Sequence, residues 1–115
     1  MDKELDILDY EGADYMPVHA YDGWRVAYLN YASRFTKEGM KYLERHMETD
    51  EIFLLMKGEA TLLIGEDCTP VPMEKFKVYN VRKGAWHNIL VSEDAKVLVI
   101  ENDNTSEKNS EYRYF

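Results

Sequence analysis

Short apolar runs cut by polar turns fill the chain from Trp24 to Ile100. Trp24–Ala32 (WRVAYLNYA) is aromatic and β-favouring, and Met40–Met47 is a second candidate strand. Glu51–Met56 (EIFLLM) ends at Lys57-Gly58, and Ala60–Ile64 (ATLLI) ends at Gly65-Glu66-Asp67, both with turn chemistry. Lys75–Val81 alternates and runs into Lys83-Gly84; His87–Val91 and Lys96–Ile100 (KVLVI) complete the series. Many short strands with regular turn signals predict an all-β sandwich or barrel. Thr36–Arg45 and Met1–Tyr10 hold helix formers, but Gly39 interrupts the first and the second lacks a cap, so the strand reading is preferred. The segment from Asn102 to Ser110 reads as a loose polar tail, ending in Tyr112, Tyr114 and Phe115, aromatics expected to dock on the body or on a second subunit.

The chain has 115 residues with no repeat and no Pro/Gly/Ser linker, which suits a single domain over 1–115, with its core at about 24–101 and an N-terminal arm. No apolar run reaches the roughly 18 residues needed to span a bilayer. The opening MDKELDILDYEG is acidic and has no apolar h-region, and there is one cysteine, Cys68, read as structural; a reducing cytoplasm is the expectation. A net charge of −8, with the 14 basic residues scattered, speaks against nucleic acid and anionic membrane surfaces as partners. No Gly-rich phosphate loop, nucleophile elbow or Cys-x-x-Cys is present.

Candidate chemistry gathers in two segments, residues 44–65 and 81–91. In a strand, alternate residues share a face, so Tyr42, Glu44 and His46 point one way and Lys41, Leu43 and Arg45 the other. The two cations place that second face in solvent and turn Glu44 and His46 inward. Glu51 opens the next strand after a short acidic turn, and Trp86-His87 begins another after Lys83-Gly84. Pairing of these strands brings one or two carboxylates and two imidazoles together, the usual ligands of Mn, Fe, Ni or Zn.

These segments resemble the motifs of the cupin family. Glu51, six residues and Gly58 match the second half of its first motif, and His46, four residues before Glu51, matches the second His of its His-x-His pair. Gly84, two residues and His87 match the end of its second motif. The chain departs from the pattern at Glu44 in place of the first His, at Arg82 in place of a proline, and at Val91 in place of the closing Asn. A three-residue spacing would instead put the pair on Arg45 and Met47, neither an ordinary ligand. The resemblance implies a single-domain cupin-type jelly roll, a pocket able to hold a metal, and a homodimer.

The expected metal set is His46, Glu51, His87 and Glu44, with a divalent transition metal (Mn, Fe, Ni or Zn) as cofactor and Glu44 as catalytic base if it is not a ligand. Glu44 reads equally well as a solvated strand residue beside Lys41 or Arg45, and the histidines as satisfied polar groups of a metal-free barrel. Tyr28, Asn30, Tyr42 and Trp86 are candidate pocket residues, and His19 a surface or lid residue. Replacing His87 with Ala is expected to remove metal and leave the fold intact. Two functions compete. One is a metal-dependent lyase or isomerase acting on a small polar molecule such as a sugar acid, ureido acid or keto acid. The other is a metal-free small-molecule binding domain or dimeric scaffold.

Overall fold

The structure is a computed structural model describing residues 4–115. Ten strands occur in it: β1 (Tyr15–Tyr21), β2 (Trp24–Asn30), β3 (Tyr42–His46), β4 (Glu51–Lys57), β5 (Ala60–Ile64), β6 (Thr69–Pro72), β7 (Val78–Val81), β8 (His87–Val91), β9 (Lys96–Asn102) and β10 (Ser110–Tyr114). They form two five-stranded sheets, ordered β1-β2-β9-β4-β7 and β10-β3-β8-β5-β6, with every pairing antiparallel. The all-β expectation holds. No helix among the described residues is long and apolar enough to cross a membrane.

Three strands escape the hydrophobic pattern, and all lie at sheet edges. β1 carries Pro17 and a register shift between Pro17 and His19; β6 carries Pro70 and Pro72. Proline cannot donate to a ladder, so such strands are tolerated only at an edge. β10 forms from the supposedly loose tail: residues 102–110 hold the end of β9 and a 3-10 turn, Glu107–Asn109, capped by Ser106, which delivers the chain to β3. Its Tyr112 and Tyr114 pack edge-to-face on Tyr42, so the aromatic end docks on the body. The segment 36–45 holds no α-helix; a 3-10 turn at Ser33–Phe35 precedes it, and its end, from Tyr42, is the start of β3. Residues 4–10 are not helical either; residues 1–3 lie outside the described part.

The core follows from alternation along facing strands. Ala27 and Leu29, Phe53 and Leu55, Val97 and Val99 point from one sheet, and Ala60, Leu62, Ile89 and Val91 from the other, all buried. At one end of the sandwich the same inward positions turn polar: Arg25 near the start of β2, His46 ending β3, Glu51 opening β4, His87 opening β8 and Glu101 near the end of β9. The sandwich is therefore apolar at one end and ionisable at the other. Leu43, expected in solvent beside Lys41 and Arg45, is fully buried, with Arg113 as its cross-strand partner.

Candidate metal centre

Gly58, at φ +75, closes β4 at the end away from Glu51, where an added Cβ would stand 2.7 Å from the Ala95 Cα. Gly84, at φ +81, turns the chain into β8, and its N–H donates to the His46 carbonyl at 2.8 Å. That bond ties the start of β8 to the end of β3, where Glu44 and His87 are cross-strand partners.

Three side chains converge there. The Glu51 Oε1 atom lies 2.9 Å from His87 Nε2 and 3.1 Å from His46 Nε2. Glu44 Oε1 stands 3.7 Å from His46 Nε2, beyond a good hydrogen bond. One donor atom from each of the four residues lies within 4.8 Å of every other. Donors around one ion with bonds of about 2.0–2.2 Å stand roughly 3–4.4 Å apart. The Glu51 Oε1 distances to the two Nε2 atoms, 2.9 and 3.1 Å, stand at the short end of that range, as three donors to one divalent ion would.

Hydrogen bonding makes a sharper test of that fit. His87 Nδ1 lies 3.0 Å from the Ala85 carbonyl, which only accepts, so Nδ1 carries a proton. In the neutral ring the Nε2 lone pair then faces the Glu51 carboxylate oxygen, acceptor against acceptor. A cation or a second proton must stand between them. His46 Nδ1 lies 2.8 Å from the Ser110 hydroxyl, a partner able to fix either tautomer. A backbone carbonyl or hydroxyl behind each ring is the usual outer support of a ligating histidine.

Without an ion, the electrostatics favour a proton between each imidazole and Glu51. Burial alone would push Glu51 up, but hydrogen bonds from His46 and His87 outweigh it and hold the carboxyl well below its usual range. Burial alone would depress both histidines; the Glu51 carboxylate reverses this and raises each. Glu44 is raised, first by burial and further by the Glu51 charge, against the pull of His87. With Glu44 and Glu51 ionised, the four-residue set carries the charge that offsets a dication.

Behind Glu51 lies a second polar unit that sequence patterning missed. Glu101 Oε1 accepts from the Tyr15 hydroxyl at 2.6 Å and from Arg25 Nη2 at 2.8 Å. The Glu101 Oε2 atom is buried without a protein donor. Burial, then the Glu51 charge, push Glu101 up to about 7, against the pull of Tyr15 and Arg25.

A cavity of about 220 Å³ opens onto the cluster, lined by Glu44, His46, Glu51, His87, Glu101 and Tyr15 and by Arg34, Tyr42, Asn88 and Tyr112. Of the candidate pocket residues, Tyr42 lines it. Tyr28, Asn30 and Trp86 do not, and these three readings are corrected. On β2 the inward positions are Arg25, Ala27 and Leu29, so Tyr28 and Asn30 face out. Tyr28 lies under the Lys96 ammonium, and Asn30 holds the N-terminal arm through the Tyr10 and Gly12 carbonyls. Trp86 precedes the inward His87 and packs under the Arg45 guanidinium. His19 is an exposed residue lying edge-on to Trp24, and Cys68 sits in a turn at φ +55.

No family model matches the sequence, and no curated protein matches it. Solved structures do match the fold. A variant of Streptomyces PAC13 with uridine aligns at a TM-score of 0.65 over 92% of this chain and 83% of its own, at 6% identity. Pac13 is described as a nucleoside dehydratase. KdgF from Halomonas sp. aligns at 0.63 over 94% of both chains, at 14% identity. A cupin-2 domain containing protein from Shewanella frigidimarina aligns at 0.63 over 81% of this chain and 84% of its own, at 16% identity. The fold is of the cupin type.

Proposed function

We propose that this chain binds one divalent transition ion (Mn, Fe, Ni or Zn) at His46, His87 and Glu51, with Glu44 beside them outside the ligand set. There it acts on a small polar metabolite as a lyase or isomerase. The observation that carries the reading is the acceptor-against-acceptor contact between His87 Nε2 and Glu51 Oε1 at 2.9 Å, in a wall open to a cavity. When bound, such an ion polarises a carbonyl or hydroxyl oxygen of the ligand. The remaining chemistry falls to the chain. Ser110 and the Ala85 carbonyl orient the two imidazoles. Glu44, part-buried, raised and 3.7 Å from its nearest imidazole nitrogen, is the group free to take and return a proton. Tyr15, held by Glu101 and Arg25 and raised by burial, stays a phenol that bounds the ligand. That Pac13 is a dehydratase supports the lyase reading.

A metal-free binding domain is the second reading, favoured by one feature: a proton on His87 alone would satisfy the same contact with Glu51. Elemental analysis after equilibration with Mn, Fe, Ni and Zn separates the two. One equivalent of metal in the wild type, lost in His46→Gln and His87→Gln, supports the metal reading. Metal-free protein under all four conditions refutes it and leaves a binding pocket.

A further inference from the structure

The cavity over the cluster has an unequal charge distribution. Its wall carries three carboxyls, Glu44, Glu51 and Glu101, and one guanidinium, Arg34. Arg34 is the only Lys or Arg among the lining residues, in a chain of net charge −8. An acid approaching this protein meets general repulsion, so a pocket that admits one needs a fixed local cation.

Arg34 is built for that role. Its guanidinium stacks on the Phe35 ring at 4.3 Å, and Phe35 is itself buried. Its Nε and Nη2 atoms are held by the Asp14 carboxylate at 2.6–3.1 Å, which fixes the plane of the group. Among the described residues the Nη1 edge has no hydrogen-bond partner. Arg34 lines the same cavity as Glu44 and Tyr42, so it is not remote from the site. The Asp14 pair is about half exposed on both sides, so it is a weak tether that a ligand carboxylate can join or displace. A planar guanidinium with a free edge is the side chain suited to carboxylate recognition.

We propose that Arg34 determines ligand specificity: it receives the carboxylate of a small hydroxy or keto acid whose other oxygen reaches the His46–Glu51–His87 cluster. This rests on the ligand-binding reading above and narrows it. The cavity volume of about 220 Å³ equals that of roughly seven waters, which suits an acid of about three to six carbons.

The test is calorimetric titration of the full chain, equilibrated with Mn²⁺, using pairs that differ only at the carboxylate: D-lactate against propane-1,2-diol, and D-gluconate against D-glucitol. In at least one pair the acid binds more tightly than its alcohol. Arg34→Gln weakens that acid by about 10- to 100-fold, the range of a charge-assisted hydrogen bond. The same variant leaves the alcohol's affinity and the metal content unchanged, which a merely structural role of Arg34 would not do. Arg34→Lys recovers part of the loss. Metal-loaded wild type that binds neither acid more tightly than its alcohol, or binds the acid equally well as Arg34→Gln, overturns the proposal and leaves the metal site standing. Wild type that holds no metal yet shows Arg34-dependent acid binding overturns the metal reading and keeps this one.

Discussion

Replacing His87 with Ala in the metal-free protein is expected to cost far more than the loss of a pocket side chain. His87 is 2% exposed and belongs to the most deeply buried side chains of the domain. Its removal deletes the 2.9 Å contact to Glu51 and the 3.0 Å contact to the Ala85 carbonyl, and leaves a buried carboxylate with His46 as its one imidazole partner. Breaking a buried pair from one side costs about 3–5 kcal/mol. At about 4 °C per kcal/mol for a domain of this length, the midpoint falls by about 12–20 °C. The assay is urea unfolding followed by circular dichroism, with chelator present, on wild type, His87→Ala, Glu51→Leu and the double variant. Because the cost arises from the stranded charge, adding Glu51→Leu to His87→Ala recovers at least about 1 kcal/mol. A loss under about 1 kcal/mol for His87→Ala, or simple additivity of the two substitutions, refutes the reasoning.

Further outcomes follow from the same geometry. Glu101, raised to about 7 from an ordinary 4.5, makes the metal-free fold lose stability as pH climbs through that window; the raised histidines add a loss that begins above 6.5, while lowered Glu51 costs stability only below 4.5. Metal-free protein should thus be most stable near about pH 5, and metal affinity should rise with pH as the ligands lose protons; thermal melts across pH 4–9 with and without Mn²⁺ check both. Arg25→Met strands the Glu101 carboxyl, costing about 3 kcal/mol by urea unfolding, and 1 M NaCl should not mimic it, because the Arg25–Glu101 pair is largely shielded from solvent. Gly58→Ala should destabilise by about 2 kcal/mol or more, exceeding Gly84→Ala, since both need positive φ but only Gly58 also faces a Cβ clash; equal losses would contradict this.

Much of the centre was legible because its members sit at strand ends beside turns. His46, Glu51 and His87 each border a turn that punctuates the hydrophobic pattern, and Gly58 and Gly84 mark where the chain must reverse. The inward direction of Glu44 and His46 followed from alternation against Lys41 and Arg45. Alternation failed on β2, where WRVAYLN offers apolar residues to both faces. Nothing local says that Arg25 turns in; it does so because Glu101, across the β2–β9 ladder, compensates its charge. Glu101 follows KVLVI as though already past the strand, and Tyr15 lies on a proline-bearing edge strand. β10 is specified by long-range pairing of Ser110 with His46, which a polar local composition conceals. The signal that could have found this second unit is a lone cation in an apolar strand, which needs a buried acid on a neighbouring strand.

The most direct measurement is anomalous diffraction from crystals of the full chain equilibrated with Mn²⁺ or Zn²⁺. The account predicts one peak about 2.0–2.3 Å from His46 Nε2, His87 Nε2 and Glu51 Oε1 together. A peak elsewhere on the molecule, or none, with His87 Nε2 still hydrogen-bonded to Glu51 Oε1, would contradict the metal centre.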